Sequence, residues 1–142
     1  MTSDPKSVVF QFLGYMASGD IADIEKAGAM FAEDAEFWII GNLPMSGMVR
    51  GREAIMERRF RPGAKLTVPG SKRLQIGMSV TEGEYVACEW KSQRKVVDGP
   101  DYHNEFFGLF QVRNGEIKLL REYMDTLAVK ESRWRETQEN LR

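Results

Sequence analysis

The chain has 142 residues, with 20 Lys and Arg against 21 Asp and Glu and a formal net charge of −1; 42% of its residues are hydrophobic and 29% charged. That composition belongs to a soluble globular protein, and the length suffices for one domain with a sizeable core. No Lys/Arg block offers the concentrated basic surface a nucleic acid needs; one cysteine, Cys88, permits no intrachain disulfide; and one histidine, His103, leaves no Cys/His cluster for zinc, so no nucleic acid, metal or other cofactor is expected.

In chain order, Met1–Pro5 lacks a basic region and a long apolar run, and nothing later reaches transmembrane length. No signal peptide and no membrane partner are therefore expected, and a cytoplasmic location is the default. Ser3 or Asp4 before Pro5 is a helix-start signal. Val8, Phe12 and Tyr15/Met16 follow at helical spacing, which predicts an amphipathic helix over 5–18. Ser18–Gly19–Asp20 is a turn, and Asp20 can cap a second helix whose buried stripe is Ile24, Ala27/Gly28 and Phe31. Residues 32–35 end that helix and lead into an apolar strand from Glu36 to Ile40, followed by a loop over 41–47. Gly51–Arg52–Glu53 starts a third helix, roughly 52–61, stopped by Pro62–Gly63. Strands are predicted near 64–68, 72–81, 84–97, 102–113 and 116–126, punctuated by turns at Pro69–Gly70, Glu82–Gly83, Asp98–Gly99–Pro100 and Asn114–Gly115. The tail from Lys130 to Arg142 mixes both charge signs and reads as a solvated helix or frayed end.

Helices first and antiparallel strands after is an α+β layout, with helices on one face of a curved sheet. Three short helices cannot cover a concave face completely, and the space left between the layers is a cone-shaped cavity suited to a small molecule. One domain is expected over 1–142, with its core at about 5–128 and a tail over 129–142.

An ordered set of short segments resembles the SnoaL-like group of the NTF2-like superfamily. The segments are Gly19–Asp20–Ile21, Phe31–Ala32–Glu33–Asp34–Ala35, Val49–Arg50–Gly51–Arg52–Glu53–Ala54–Ile55, and a closing hairpin with Phe110–Gln111–Val112–Arg113–Asn114–Gly115–Glu116–Ile117 and Arg121–Glu122–Tyr123–Met124–Asp125. The resemblance spans about Val8 to Thr126 and implies the NTF2-like cone with a pocket; the superfamily hosts isomerases, cyclases, hydrolases, lyases and non-catalytic modules. The steroid isomerases of this superfamily place catalytic acids where this chain has Ile39 and Gly108, and their helix-one tyrosine falls near Phe12. The limonene-epoxide hydrolases place an Arg and an Asp near Trp90 and Ser92, and their last catalytic Asp falls on Asp125. SnoaL-type cyclases use one pocket Asp, for which Asp125 is the nearest equivalent.

Asp125 is accordingly the first catalytic candidate, because a carboxylate partly removed from water can serve as acid or base near neutral pH. As a strand-end residue before Thr126 it can equally cap the next segment. Tyr123, two residues earlier, shares its strand face and can donate to an oxyanion, or serve as an aromatic core residue. Arg121 continues that face, either paired with Asp125, bound to an anionic substrate group, or solvated. Val86, Cys88, Trp90, Ser92 and Val96 share one face of their strand and should line the cavity, Trp90 as a flat apolar wall. Tyr102, Asn104, Phe106, Gly108 and Phe110 share a face of the next strand, with Asn104 as an orienting amide and Gly108 opening space. Strict alternation puts His103 on the opposite face, at a dimer surface, unless a bulge near Gly99–Pro100 turns it inward as a base. Phe37, Ile39, Phe12 and Met16 complete the apolar lining.

These residues predict a cofactor-independent isomerase, cyclase or lyase that moves a proton on a lipophilic, aromatic or polycyclic substrate. The alternatives are a non-catalytic ligand-binding module and a divergent epoxide hydrolase. A homodimer is expected, because His103, Phe107 and Leu109 share the outward face of their strand.

Overall fold

A computed structural model describes residues 4–132. The first helix, α1 (Pro5–Ala17), begins where Asp4 accepts hydrogen bonds from the backbone N–H groups of Lys6 and Ser7, with Pro5 in the first turn, where its missing N–H costs nothing. Asp20 caps α2 (Ile21–Gly28) through the N–H of Ala22. The helix stops at Gly28, so Phe31 does not continue its buried stripe as expected. It opens strand β1 (Phe31–Ile39), drawn into the sheet by the Ile117 N–H, which donates to the Met30 carbonyl. A strand that was not expected, β2 (Gly47–Arg50), begins at the last residue of the expected loop and pairs antiparallel with Glu36 to Ile39.

Pro62–Gly63 does not stop the third helix. The chain runs through α3 (Arg52–Ile55), a π-helical turn (Met56–Phe60) and α4 (Arg61–Leu66). Pro62 has no N–H to give the preceding turn, and a widened turn next to it relieves the crowding that would otherwise break the helix. The strand expected over 64–68 is therefore mostly helix, and only Thr67 makes a β-bridge, to Val96. Strands β3 (Arg73–Glu82), β4 (Tyr85–Arg94), β5 (Tyr102–Arg113) and β6 (Glu116–Met124) follow, and a short α5 (Thr126–Lys130) closes the described chain. Most of the expected tail over Lys130–Arg142 lies outside the described residues.

The six strands form one sheet in the order β2-β1-β6-β5-β4-β3, antiparallel except for β1 and β6, which run parallel. Helices α1 to α4 cover one face. The apolar core between the layers is centred on Phe12, whose ring meets Phe31, Phe60 and Phe110 edge-on at centroid distances of 5.5, 6.1 and 5.9 Å. Edge-to-face contacts of this kind add to the burial of each ring.

One irregularity decides which side chains enter the cavity. The hairpin turn pairs Arg113 with Glu116 and Val112 with Ile117, but Gln111 then pairs with Leu119, leaving Lys118 as an extra residue. It is a β-bulge. Because side chains alternate with period two, that one residue moves everything after it to the other face. Beyond the bulge Phe110 faces Leu120, Gly108 faces Glu122 and Phe106 faces Met124. The displaced Lys118 ammonium reaches the Asp34 carboxylate on β1 at 2.6 Å.

Candidate functional site

The concave side of the sheet and the covering helices enclose a cavity, with about 830 Å³ of unfilled space counted out through its mouth. Its lining is largely apolar. α1 supplies Phe12, Leu13 and Met16, β1 supplies Phe37 and Ile39, and the π turn supplies Phe60; Trp90, Phe106, Phe110, Leu120 and Met124 come from β4 to β6. Trp90 and Phe106 are nearly parallel, at 10° and 5.4 Å between centroids, and form a flat aromatic wall. Gly108 does not open space here, as had been expected. The Trp90 ring occupies it, and a Cβ on Gly108 would lie 2.7 Å from that ring.

Among the described residues this lining holds one carboxylate, Glu122 on β6, with the cationic side chains Arg59, Lys72 and Arg94 around it. Burial pushes the Glu122 carboxyl up to about 7, against the opposing pull of Arg59, Lys72 and Arg94. The two arginines are anchored. Arg59 donates to the Gly47 carbonyl at 3.4 Å and lies over the Phe37 ring; Arg94 donates to the Thr67 hydroxyl at 3.2 Å and lies over the Tyr102 ring. Burial lowers both to about 10, so both stay charged at neutral pH. Lys72 is 5% exposed, and burial, with Arg94 beside it, holds its amine well below the usual lysine range. The Tyr102 phenol also lines the cavity; burial raises it to about 12, so it stays protonated and can donate a hydrogen bond.

The expected substrate-binding residues Phe12, Met16, Phe37, Ile39, Trp90, Ser92 and Phe106 all line this cavity. Asn104 is buried just behind it. Its amide donates to the Tyr102 hydroxyl at 2.7 Å and to the Asp125 carbonyl, and accepts from the Asp125 N–H. It thus orients the phenol and ties down the end of β6.

The expected catalytic residues Tyr123, Asp125 and His103 lie elsewhere, as does Arg121, which was expected to bind substrate, and the bulge is the reason for Tyr123 and Arg121. An uninterrupted hairpin would put Arg121, Tyr123 and Asp125 on the inner face; the extra Lys118 puts Leu120, Glu122 and Met124 there instead. Arg121 and Tyr123 sit on the outer face, where the Arg121 guanidinium stacks 3.9 Å from the Trp38 ring centre and Tyr123 packs edge-on against Trp38 and Phe107. Asp125 lies past the end of β6. Its exposed carboxylate caps α5, accepting from the N–H groups of Leu127 and Ala128, which is the capping role weighed beside catalysis. His103 keeps strict alternation and is exposed on the outer face.

Four polar lining residues were not anticipated. Arg94 was legible, since 86, 88, 90, 92 and 94 share a strand face by simple alternation. Glu122 required knowledge of the bulge. Arg59 lies in a turn whose π geometry no spacing announces, whereas Lys72 was legible, since it opens the strand expected over 72–81 and alternates in step with Leu74 and Ile76. Among the described residues no group of three or more His, Cys, Asp or Glu side chains could hold a metal ion, and no helix is long and apolar enough to cross a membrane.

A curved sheet closed by N-terminal helices over a largely apolar cavity is the architecture of an NTF2-like cone. The SnoaL-like domain family matches residues 9–120, so the chain belongs to that family. Solved structures agree in fold. An NTF2-like protein from Burkholderia xenovorans is 24% identical, with 92% of this chain and 95% of that one covered and a TM-score of 0.66. A phenazine biosynthesis-related protein from Pseudomonas aeruginosa is 20% identical, with 89% and 83% covered and a TM-score of 0.70. TerC, co-crystallised with polyporic acid, is 18% identical, with 96% and 99% covered and a TM-score of 0.70. No curated protein matches the chain.

Proposed function

We propose that the protein is a cofactor-independent enzyme that transfers a proton on a lipophilic, aromatic or polycyclic small molecule, in an isomerisation, cyclisation, dehydration or lyase reaction. The observation that carries this reading is Glu122: a carboxyl raised to about 7 inside an apolar cavity. A group that titrates near the working pH is present in both its acid and base forms, the condition under which one side chain can both take and return a proton. The Trp90–Phe106 wall suits a planar ring system. The Tyr102 phenol, held by Asn104, supplies a donor to an oxygen that gains charge as the substrate loses its proton. The relatives named for phenazine biosynthesis and for a complex with polyporic acid lend support to an aromatic ligand.

The test is solvent-proton exchange. Cyclic enones and hydroxyquinones incubated with the protein in heavy water should gain deuterium at an acidic carbon, read by mass spectrometry. Glu122→Gln should lower the exchange rate by about two to four powers of ten, the usual loss for one acid–base group. A substrate exchanged equally fast by the Gln variant would remove Glu122 from the mechanism and leave a ligand-binding module.

We also infer a homodimer formed through the outer sheet face. Met78, Val80 and Phe107 are 74%, 67% and 42% exposed there, an apolar stretch that a second copy would cover. A sedimenting species of 16.2 kDa at micromolar concentration would refute it.

A further inference from the structure

The cavity has a charge imbalance at its β3–β4 side. Glu122 is the only carboxylate among its described lining residues, against Arg59, Lys72 and Arg94. The two arginines have their own anchors in the Gly47 carbonyl and the Thr67 hydroxyl. Lys72 does not. Its stem is threaded past Gly19 and Thr67, so closely that a Cβ on Gly19 would stand 3.1 Å from the lysine Cδ. That places the amine in the lining of the cavity, on a residue only 5% exposed, and among the described residues its nitrogen has neither a hydrogen bond nor an ion pair. Burying an amine without a partner is costly, and a plain hydrophobic residue would fill the position at lower cost. A lysine held there, next to a second cation, is explained by an anion that arrives with the ligand.

We propose that Lys72 and Arg94 form a subsite for an anionic oxygen group on the ligand, either a carboxylate or the enolate of an acidic hydroxyl, so that the substrate is an aromatic acid rather than a neutral ring system. The subsite rests on the reading that this cavity is where the substrate binds, but not on Glu122 moving a proton. The geometry suits the division of labour. Lys72 is a compact charge on a flexible stem that can follow one oxygen, while Arg94 presents a planar fork already fixed by Thr67 and Tyr102. Ser92, which also lines the cavity between Trp90 and Arg94 on β4, provides a hydroxyl at the boundary of the aromatic wall and the cationic corner. Burial of Lys72 and Arg94 strengthens their attraction for an anion, because the protein around them screens charge less than bulk water does.

The experiment is calorimetric titration of the full chain with 2-naphthoate, 2-hydroxy-1,4-naphthoquinone and 2-naphthamide. The first two carry the two kinds of anion, and the third matches the first in shape without charge. Either anion should bind at least about tenfold more tightly than the amide, a modest value for a charge-assisted contact at buried cations. Lys72→Met should abolish most of that preference while leaving amide affinity unchanged, and should melt no lower than the parent, since it removes a buried amine. Lys72→Gln serves as a second neutral variant should the Met form misfold. Equal affinity for acid and amide, a preference that survives in both Lys72 variants, or no binding of any of the three at millimolar concentration would each overturn the subsite. Glu122→Gln separates the two proposals. If it leaves proton exchange intact while the acid preference remains, only the catalytic reading falls; if it stops exchange while acid and amide bind alike, only the subsite does.

Discussion

The two faces of the β5–β6 hairpin are built from alternate residues of the same strands, yet their polar groups meet different surroundings. On the concave face Glu122 stands among Phe106, Phe110, Leu120 and Met124, and desolvation there raises its proton affinity. On the convex face the charges are met by solvent and by each other. Lys91 pairs with Glu105 at 3.3 Å with both side chains well exposed, and the Arg121 guanidinium lies over the Trp38 ring at 3.9 Å from its centre. An exposed pair of that kind is worth little. The face a titratable group occupies sets its proton affinity here, and that face is set by whether one residue is inserted upstream.

The comparison is broken most directly by exchanging its two acids. Glu122→Gln should cost about two to four powers of ten in rate, whereas Asp125→Asn, on an exposed helix cap, should stay within about twofold. Comparable losses in both, measured on the same substrate, would mean that the face does not govern the chemistry.

The next effect is on stability. Glu122 keeps its proton to about 7 in the folded protein against an ordinary 4.5. The folded state therefore binds more protons than the unfolded state between those values. The stability this contributes is complete below the unfolded value and is lost as pH rises through 7. Gln cannot titrate, so Glu122→Gln should gain on the parent as pH rises from 4 to 8, by on the order of 3 kcal/mol, as urea melts at each pH would show. The Lys72 displacement acts with the opposite sign but is present in both proteins, which is why the difference is the quantity to measure. A flat difference would place the carboxyl in solvent.

Gly108→Ala is smaller in reach. The new methyl would meet the Trp90 ring at 2.7 Å, inside contact distance, and should cost about 1–3 kcal/mol by overpacking. It should also tilt the aromatic wall, weakening ligand binding in the same variant. The smallest expected change is Asp125→Ala, which removes the α5 cap and should cost about 1 kcal/mol in thermal or urea unfolding.

Much of the fold was legible because its signals are local. Asp4 and Asp20 mark helix starts, Asn114–Gly115 marks the hairpin, and β4 and β5 alternate cleanly enough to assign Trp90, Ser92 and Phe106 to the cavity and His103 to the outside. The site was less so, for two physical reasons. A bulge leaves no mark in a hydrophobic pattern: Ile117, Lys118, Leu119 and Leu120 read equally well in either register, and the choice between them is made by pairing with β1 and β5. Nor does a helix that runs through Pro62 by way of a π turn follow a 3.6-residue spacing, so the inward turn of Arg59 could not be read from position.

The parallel pairing of β1 with β6 bears on how the molecule comes to be folded. Phe31 lies beside Ile117 and Phe37 beside Leu120, contacts between segments more than eighty residues apart in sequence. Local hairpins among β3 to β6 can form early, but the strand at the middle of the sheet gains its second neighbour only by closing that long loop, a step that slows folding. During synthesis the N-terminal helices and β1–β2 must wait for β6 before their apolar faces are covered. Interruption of the chain anywhere before β6 therefore leaves sticky surface, and not a smaller working cone.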